Sequence, residues 1–147
     1  MKLIAEHEIG NVGRIIESID EDGKKSLFME GIFAQAEKKN RNKRVYPKKV
    51  LEGAMEKYIE EYVKQNRALG ELNHPKEVAP NPERACILIK ELNWKGNDVV
   101  GKAKVLSTPT GELVKSLIRD GVQLGVSTRG VGSLSEKNGE SIVESDY

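Results

Sequence analysis

Residues 69–75, LGELNHP, contain His74, one of the two histidines of the sequence and a candidate for acid–base chemistry. His74 stands between an asparagine and a proline, and a proline restricts the backbone of the residue before it. At the end of a predicted strand and beside a loop, the ring of this histidine can face a cleft. The alternative is a partly exposed histidine that bonds its own turn.

A second stretch, residues 125–134 (GVSTRGVGSL), places Ser127 among three glycines. Glycines weaken a strand and let another backbone or a substrate approach closely. Ser127 could therefore be a nucleophile, while Arg129 and the neighbouring amides, such as that of Gly130, could face a developing oxyanion. The alternative is a bulged barrel strand in which the serine is simply small.

The glycine spacing around Ser127 excludes several known motifs. Arg129 occupies the last position of what would be a Gly-x-Ser-x-Gly elbow, so the strained turn of that motif is not implied. The same spacing fits neither a dinucleotide-binding fingerprint nor a phosphate-binding loop, because no Lys-Ser or Lys-Thr pair follows the glycines.

Taken together, His74 and Ser127 predict an acyl-transfer site. Ser127 would attack a carbonyl carbon and His74 would take the proton of its hydroxyl group. A third group should orient the histidine, and the sequence offers three nominees without choosing among them: Glu71, Asp98 and Asp146.

The composition limits other kinds of site. The 147 residues include 24 Lys or Arg and 23 Asp or Glu, so a net charge of +1 gives no overall attraction to nucleic acid or an anionic membrane. One cysteine excludes an internal disulfide and a Cys-rich zinc site. A metal site with several histidine ligands would require His7 and His74 to lie close together in the fold. No apolar run reaches the roughly 18 residues of a membrane span. We therefore expect a soluble intracellular chain with no metal, no cofactor and no membrane partner.

The elements that position these residues are short. Apolar residues at three- and four-residue spacing predict a helix over 47–66, and Thr108 and Gly121 bracket a second helix. Strands are predicted within 2–19 (two strands and a turn), 27–34 (with a bulge at Gly31), 68–75, 84–95 and 98–106 (a hairpin), 122–134 and 141–144. Hairpins without regular strand–helix alternation predict a single α+β domain over residues 1–147, built on an antiparallel β-barrel of about seven strands flanked by helices.

Five blocks of the sequence carry a resemblance to a known family. They are 31–37 (GIFAQAE), 40–47 (NRNKRVYP), 70–75 (GELNHP), 94–99 (WKGNDV) and 125–134 (GVSTRGVGSL). In this order, over roughly residues 28–135, they resemble successive blocks of the prohead core proteases of T-even-type tailed bacteriophages. His74 and Ser127 match the catalytic histidine and serine of that family.

The resemblance implies a serine endopeptidase of capsid maturation with a fold similar to that of herpesvirus proteases. Its implied partners are the phage scaffold or core proteins and the capsid proteins, which it would cut, together with itself, after Glu in Leu/Ile-x-Glu contexts. It would be made as an inactive zymogen inside the assembling prohead, in the host cytoplasm, and could form a homo-oligomer.

The family's acidic third catalytic residue is expected in a block after the serine, and the sequence reaches Tyr147 without that block. We therefore expect the third member beyond Tyr147 and interpret the chain as a truncated or processed protease domain. Without the third member, His74 could be poorly oriented and the enzyme weak or inactive.

Two further interpretations stay open. The same β-rich pattern would suit a non-enzymatic barrel subunit of a phage tube or shell. The basic stretch 38–49, together with Arg129, offers cations for a Glu-selective pocket. Because Tyr46 is the only aromatic residue in that stretch, a solvated loop is favoured over a nucleic-acid surface, and an acidic substrate or scaffold partner comes next.

Overall fold

The computed structural model describes residues 2–5, 14–19, 22–73, 76–77 and 79–147. Within these residues the chain forms ten strands and two α-helices. In chain order they are β1 (Lys2–Ala5), β2 (Arg14–Ile19), β3 (Lys25–Gln35), β4 (Arg44–Val45), α1 (Lys48–Tyr58), β5 (Leu69–Glu71), β6 (Ala85–Lys95), β7 (Asp98–Val105), α2 (Pro109–Arg119), β8 (Arg129–Gly132), β9 (Leu134–Lys137) and β10 (Glu140–Val143).

The largest sheet has five antiparallel strands in the order β2-β3-β7-β6-β5. The predicted hairpin is confirmed as β6 and β7, in which Lys95 pairs with Asp98 across a turn at Gly96 and Asn97. Gly96 has a φ of 63°, a conformation that glycine adopts without strain. Alternate residues of β7 are buried, so one face of the sheet covers the core.

The bulge predicted at Gly31 lies two residues further along the chain. Gly31 pairs in register with Gly101, and the register shifts between Ile32 and Ala34. The extra residue is Phe33, whose buried ring packs directly over Gly101, where a Cβ atom would come within 2.2 Å of it. The bulge therefore turns an aromatic ring into the core above a position that only glycine can occupy.

The predicted helix over 47–66 is confirmed in type but is shorter. Helix α1 is followed without a break by a π-helical turn, Ile59–Val63. The carboxylate of Glu37 accepts a hydrogen bond from the backbone N–H of Lys48 at 2.6 Å, which satisfies one of the free donors at the helix start. Leu51 is 1% exposed and fixes the helix to the core.

The second predicted helix is confirmed as α2. Thr108 Oγ1 accepts a hydrogen bond from the Gly111 N–H at 3.0 Å, as an N-cap does, and Gly121 follows the helix with a φ of 87°. Val114 is buried against the large sheet. This packing fixes the point from which the chain leaves towards Ser127.

The strand predicted over 122–134 is wrong in its first half. Residues 122–128 form neither helix nor strand, and β8 begins only at Arg129. Leu124 and Val126 pack against the core under the large sheet, so core packing rather than strand pairing holds this segment. The final strand predicted over 141–144 is confirmed as β10, which forms a hairpin with β9 through a turn at Asn138 and Gly139, both at positive φ.

The described strands pair in three separate sheets, and they do not close into one barrel. Strand β1 pairs antiparallel with β8, while β10 pairs antiparallel with β9 and parallel with β4. The two strands predicted within 2–19 form, but they belong to different sheets. The α+β class is confirmed, whereas the seven-stranded barrel is not, and the herpesvirus-protease-like arrangement stays a prediction.

The core divides into two clusters. The first contains Leu27, Met29, Phe33, Cys86, Ile87, Ala103, Val105 and Val114, under the large sheet and α2. The second contains Ile4, Ala36, Tyr46, Leu51, Val99 and Val143, between α1 and the smaller sheets. The segment from Leu124 to Leu134 contacts both clusters, so the region around Ser127 spans the two halves of the core.

Candidate active site

Ser127 lies in the irregular segment that connects α2 to β8. The side chain is half-buried, one residue after Val126, which packs on the first core cluster, and two residues before Arg129, which opens β8. Core packing on one side and strand pairing with β1 on the other therefore restrain the segment at both ends. A serine in such a place keeps a defined position, as a nucleophile requires.

His74 lies outside the described residues, and so does His7. The chain that leads to His74 is described as far as Asn73, which has a φ of 64°. Strand β5 precedes it and pairs with β6, where Gly70 lies so close to Ile87 that a Cβ atom would be 2.5 Å from Cγ1. That His74 lies within hydrogen-bond reach of Ser127 stays a prediction.

A buried carboxylate connects these two segments. The Glu71 side chain is 2% exposed, and its Oε1 accepts a hydrogen bond from Arg129 Nη2 at 3.0 Å and one from the Asn81 N–H at 3.1 Å. Its Oε2 accepts from Arg84 Nε at 3.2 Å. Glu71 stands three residues before His74 and Arg129 two residues after Ser127, so the structure brings together two residues that sequence reasoning had nominated for separate roles.

Glu71 is held in its charged form. Burial raises the pKa of its carboxyl group, but the hydrogen bonds from Arg129, from the Asn81 backbone and from Arg84 outweigh burial and lower the pKa below its ordinary value. The resulting ion pair with Arg129 is well shielded, because the Arg129 side chain is only 14% exposed. Arg129 Nη2 is thus bound to Glu71, and a contact of Arg129 with a substrate glutamate stays a prediction.

Arg84 completes this cluster, and sequence reasoning did not single it out. A 3₁₀ turn, Pro82–Arg84, capped by the Asn81 side chain, directs Arg84 back to Glu71. Its Nη2 lies 3.0 Å from Glu77 Oε2. The sequence carries no motif for this contact, since Arg84 stands thirteen positions after Glu71.

The other two nominees for the third catalytic residue bind elsewhere. Asp98 Oδ1 accepts a hydrogen bond from Gln35 Nε2 at 3.0 Å beside the β6–β7 turn. Asp146 accepts from the Ser133 N–H at 2.9 Å and from Ser133 Oγ at 2.6 Å, and these bonds hold the pKa of its carboxyl group below the ordinary value. Both carboxylates therefore fasten local structure.

Gly130 and Gly132 make room for the last residue of the chain. Gly130 pairs with Ile4, and a Cβ atom on it would lie 2.7 Å from Cε1 of Tyr147. A Cβ atom on Gly132 would lie 3.0 Å from Tyr147 Cα. The close approach predicted from these glycines is thus made by Tyr147, whose ring also contacts Tyr46 edge-on at 5.2 Å between centroids.

Cys86 is not a competing nucleophile. It is 4% exposed in the first core cluster, and its Sγ lies 3.6 Å from the carbonyl oxygen of Gly70. Burial raises the pKa of this thiol to about 11, so the thiolate is scarce at neutral pH. Among the described residues, His, Cys, Asp and Glu side chains form no group of three or more that could hold a metal ion.

Neither described helix is long and apolar enough to cross a membrane. The cluster of Glu71, Arg84 and Arg129 is assembled from β5, the 3₁₀ turn and β8, and Arg129 stands two residues after Ser127 in the sequence.

Comparison with known proteins finds two similar phage proteins. The chain is similar to the prohead core protein protease of Enterobacteria phage T4, with 46% identity over 140 residues. That match covers 88% of this chain and 66% of the relative, just under two thirds of its length. The bacteriophage T4 capsid assembly protease has a similar solved structure, with a TM-score of 0.92, 44% identity, and coverage of 97% of this chain and 89% of that one.

The match to a family model is equally extensive. The model described as prohead core protein serine protease matches residues 7–147, nearly the whole sequence and both segments of the candidate site. The chain therefore belongs to the prohead core protein serine protease family.

Proposed function

We propose that this chain is a serine endopeptidase in which Ser127 is the nucleophile and His74 the general base. The observation that carries the proposal is the Glu71–Arg129 ion pair, which fastens the segment containing Ser127 to the strand that leads to His74. Because the chain belongs to a serine protease family, we interpret these two segments as the ones that carry the nucleophile and the general base.

The proposed reaction uses two proton transfers through one histidine. Ser127 Oγ attacks the scissile carbonyl carbon while His74 takes the hydroxyl proton, and collapse of the tetrahedral intermediate breaks the C–N bond as His74 returns the proton to the leaving amine. A water molecule then attacks the acyl-enzyme, His74 again takes the proton, and the new carboxylate leaves as Ser127 Oγ is reprotonated.

The start of β8 is our candidate for the oxyanion site. Arg129 and Gly130 are consecutive residues in an antiparallel ladder with β1. Backbone groups of successive residues in such a ladder point alternately towards and away from the partner strand. One of these two N–H groups therefore points away from β1, close in sequence to Ser127, where it could donate to the oxyanion.

Glu71 acts in this proposal as a positioning residue. Each of its carboxylate oxygens already accepts a hydrogen bond from an arginine, which favours a role in fixing the two segments over direct orientation of His74. The identity of the third catalytic group stays part of the proposal.

The proposed substrates are the core or scaffold proteins and the capsid proteins of a phage, with cleavage after Glu in Leu/Ile-x-Glu sequences. The names of the similar proteins, a prohead core protein protease and a capsid assembly protease, support this substrate class. The place of action would be the assembling prohead in the host cytoplasm. Family membership favours this function over a non-enzymatic tube or shell subunit.

Cleavage of a core protein by matched serine variants tests the proposal. Ser127→Ala removes the nucleophile and should abolish cleavage. Ser133→Ala removes a hydroxyl six residues away, at the Asp146 contact, and should leave cleavage within about threefold of the parent chain. Continued cleavage by Ser127→Ala, with loss in Ser133→Ala, would contradict the assignment.

A further inference from the structure

The most basic part of the sequence forms an ordered surface in the structure. Residues 38–49 contain seven Lys or Arg and no acidic residue. The Asn40 side chain organises the loop, since its Oδ1 accepts hydrogen bonds from the backbone N–H groups of Asn42 and Arg44, each at 3.0 Å. The Asn40 N–H also donates to the Arg44 carbonyl oxygen at 3.0 Å. These bonds hold the backbone that carries the charges of the loop in a defined conformation.

The loop is joined to the structure that carries the candidate site. The Lys43 carbonyl oxygen accepts a hydrogen bond from the Ser141 N–H at 2.8 Å, and β4 pairs with β10. Beyond β10, Tyr147 packs against Gly130 in β8. Gly130 is three residues from Ser127, at most about 11 Å along an extended chain.

A groove continues the basic surface along α1. Helix α1 contributes Lys49, Val50, Gly53 and Lys57, and the C-terminal residues contribute Asp146 and Tyr147. Lys49, Gly53 and Lys57 recur at four-residue spacing on one helix face, and a Cβ atom on Gly53 would meet nothing within 4 Å. The groove is therefore open, with apolar surface between two lysines.

Five lysines of this region are available for a partner: Lys38, Lys39, Lys43, Lys49 and Lys57, named here the basic surface. All five are exposed, and within the described part of the chain none of them forms an ion pair. Three acidic side chains of the neighbouring elements already have hydrogen-bond partners: Glu37 binds the Lys48 N–H, Glu136 binds Ser141 Oγ and Asp146 binds Ser133.

We propose that the basic surface binds an acidic segment of a substrate protein at a distance from the bond that is cut. This inference rests on the proposed protease function and names a second contact through which substrates are selected. Charge complementarity supplies the attraction, and the apolar part of the groove can accept an aliphatic side chain of the same segment. A protein is favoured over nucleic acid because Tyr46, the one aromatic residue of the loop, is 4% exposed and cannot stack on bases.

The test uses two peptide substrates of the full chain. Both contain one Leu-x-Glu cleavage sequence, and they are joined to a ten-residue tract of either Glu or Gln. The variant Lys38→Gln/Lys39→Gln/Lys43→Gln removes three charges of the basic surface, and Lys25→Gln/Lys90→Gln/Lys137→Gln removes three exposed charges elsewhere as the matched control. Fluorescence anisotropy measures binding of each tract without the cleavage sequence.

We expect the variant at Lys38, Lys39 and Lys43, named here the loop variant, to raise KM for the Glu-tract substrate by roughly fivefold or more with kcat unchanged. This is the effect expected from the loss of three exposed ion pairs. The Gln-tract substrate and the control variant should show no change, and 0.5 M salt should abolish the difference. Equal KM values for both tracts in the parent chain, or an equal effect of the control variant, would overturn the proposal. Tighter binding of a single-stranded oligonucleotide than of the Glu tract would also overturn it.

The two proposals fail in different ways. If no substrate is cut but the Glu tract binds and the loop variant weakens binding, the protease assignment fails and the acidic-segment site stands. If both substrates are cut with equal KM and neither tract binds, the protease assignment stands and the basic surface is not a substrate site.

Discussion

Arg129 Nη2 lies 3.0 Å from Glu71 Oε1, and this ion pair connects the strand that precedes His74 with the strand that follows Ser127. Because the Glu71 side chain is 2% exposed, the pair is shielded from water and from salt. Burial of such a pair costs desolvation energy, so we interpret its main effect as fixing which two segments lie side by side.

Removal of Arg129 should destabilise the fold. Arg129→Met leaves a buried carboxylate with Arg84 as its remaining cation, and we expect a loss of about 3 kcal/mol in the free energy of unfolding. Urea denaturation measures this loss. Lys64→Met, which breaks the exposed ion pair with Glu60, is the matched control and should cost less than about 0.5 kcal/mol. Equal effects of the two substitutions would contradict the buried-pair interpretation.

Acid should weaken the parent chain more than a Glu71→Gln variant. The pKa of Glu71 is lower in the folded state than the ordinary value of 4.5. Its contribution to stability is therefore complete above the unfolded pKa and is lost as the pH falls below about 4.5 through the folded pKa. Urea midpoints from pH 7 to pH 3 should fall more steeply for the parent chain, and parallel curves would show that Glu71 is not held in its charged form.

Thiol reagents should not block cleavage. Cys86 is buried and has a pKa of about 11, so iodoacetamide at pH 7.5 should modify the folded chain at least about tenfold more slowly than the urea-unfolded chain. The peptidase activity should survive the treatment, and Cys86→Ala should cleave at the parent rate. Loss of activity in step with Cys86 alkylation would point to a cysteine nucleophile.

The order of self-cleavage should depend on where each Leu/Ile-x-Glu sequence lies in the sheet. Glu17 lies exposed in β2, an edge strand of the large sheet, whereas Glu91 lies in β6, an internal strand, where it pairs with Lys102 of β7. An edge strand opens more easily than an internal one, so we expect a product cut after Glu17 before any product cut after Glu91. Mass spectrometry of a time course identifies both ends, and the variant Glu17→Gln should delay the first product. An earlier cut after Glu91 would contradict this order.

Much of the fold could be predicted because its signals are local. The apolar stripe of α1, the Thr108 cap of α2 and the Gly96 turn of the hairpin are all encoded within a few residues. The irregular course of 122–128 could not be predicted, because Leu124 and Val126 suit a strand equally well and only the core cluster they meet decides otherwise. The assignment of β1 and β2 to different sheets depends likewise on distant partners.

The candidate site likewise has residues that could be predicted from the sequence and residues that could not. Ser127 and His74 could be nominated because few residue types do acyl-transfer chemistry and the chain has only two histidines. The joint role of Glu71, Arg84 and Arg129 could not, because their contacts span 13 and 58 residues and arise only when β5, the 3₁₀ turn and β8 meet.

The most direct test of the central claim is covalent labelling of the full chain with a fluorophosphonate. The probe forms an ester with an activated serine, and peptide mass spectrometry locates it. We predict labelling at Ser127 that His74→Ala abolishes and that His7→Ala, which removes the other histidine, leaves at the parent rate. Labelling of Ser127 that persists in His74→Ala, or labelling only at another serine, would contradict the assignment of Ser127 and His74 as nucleophile and base.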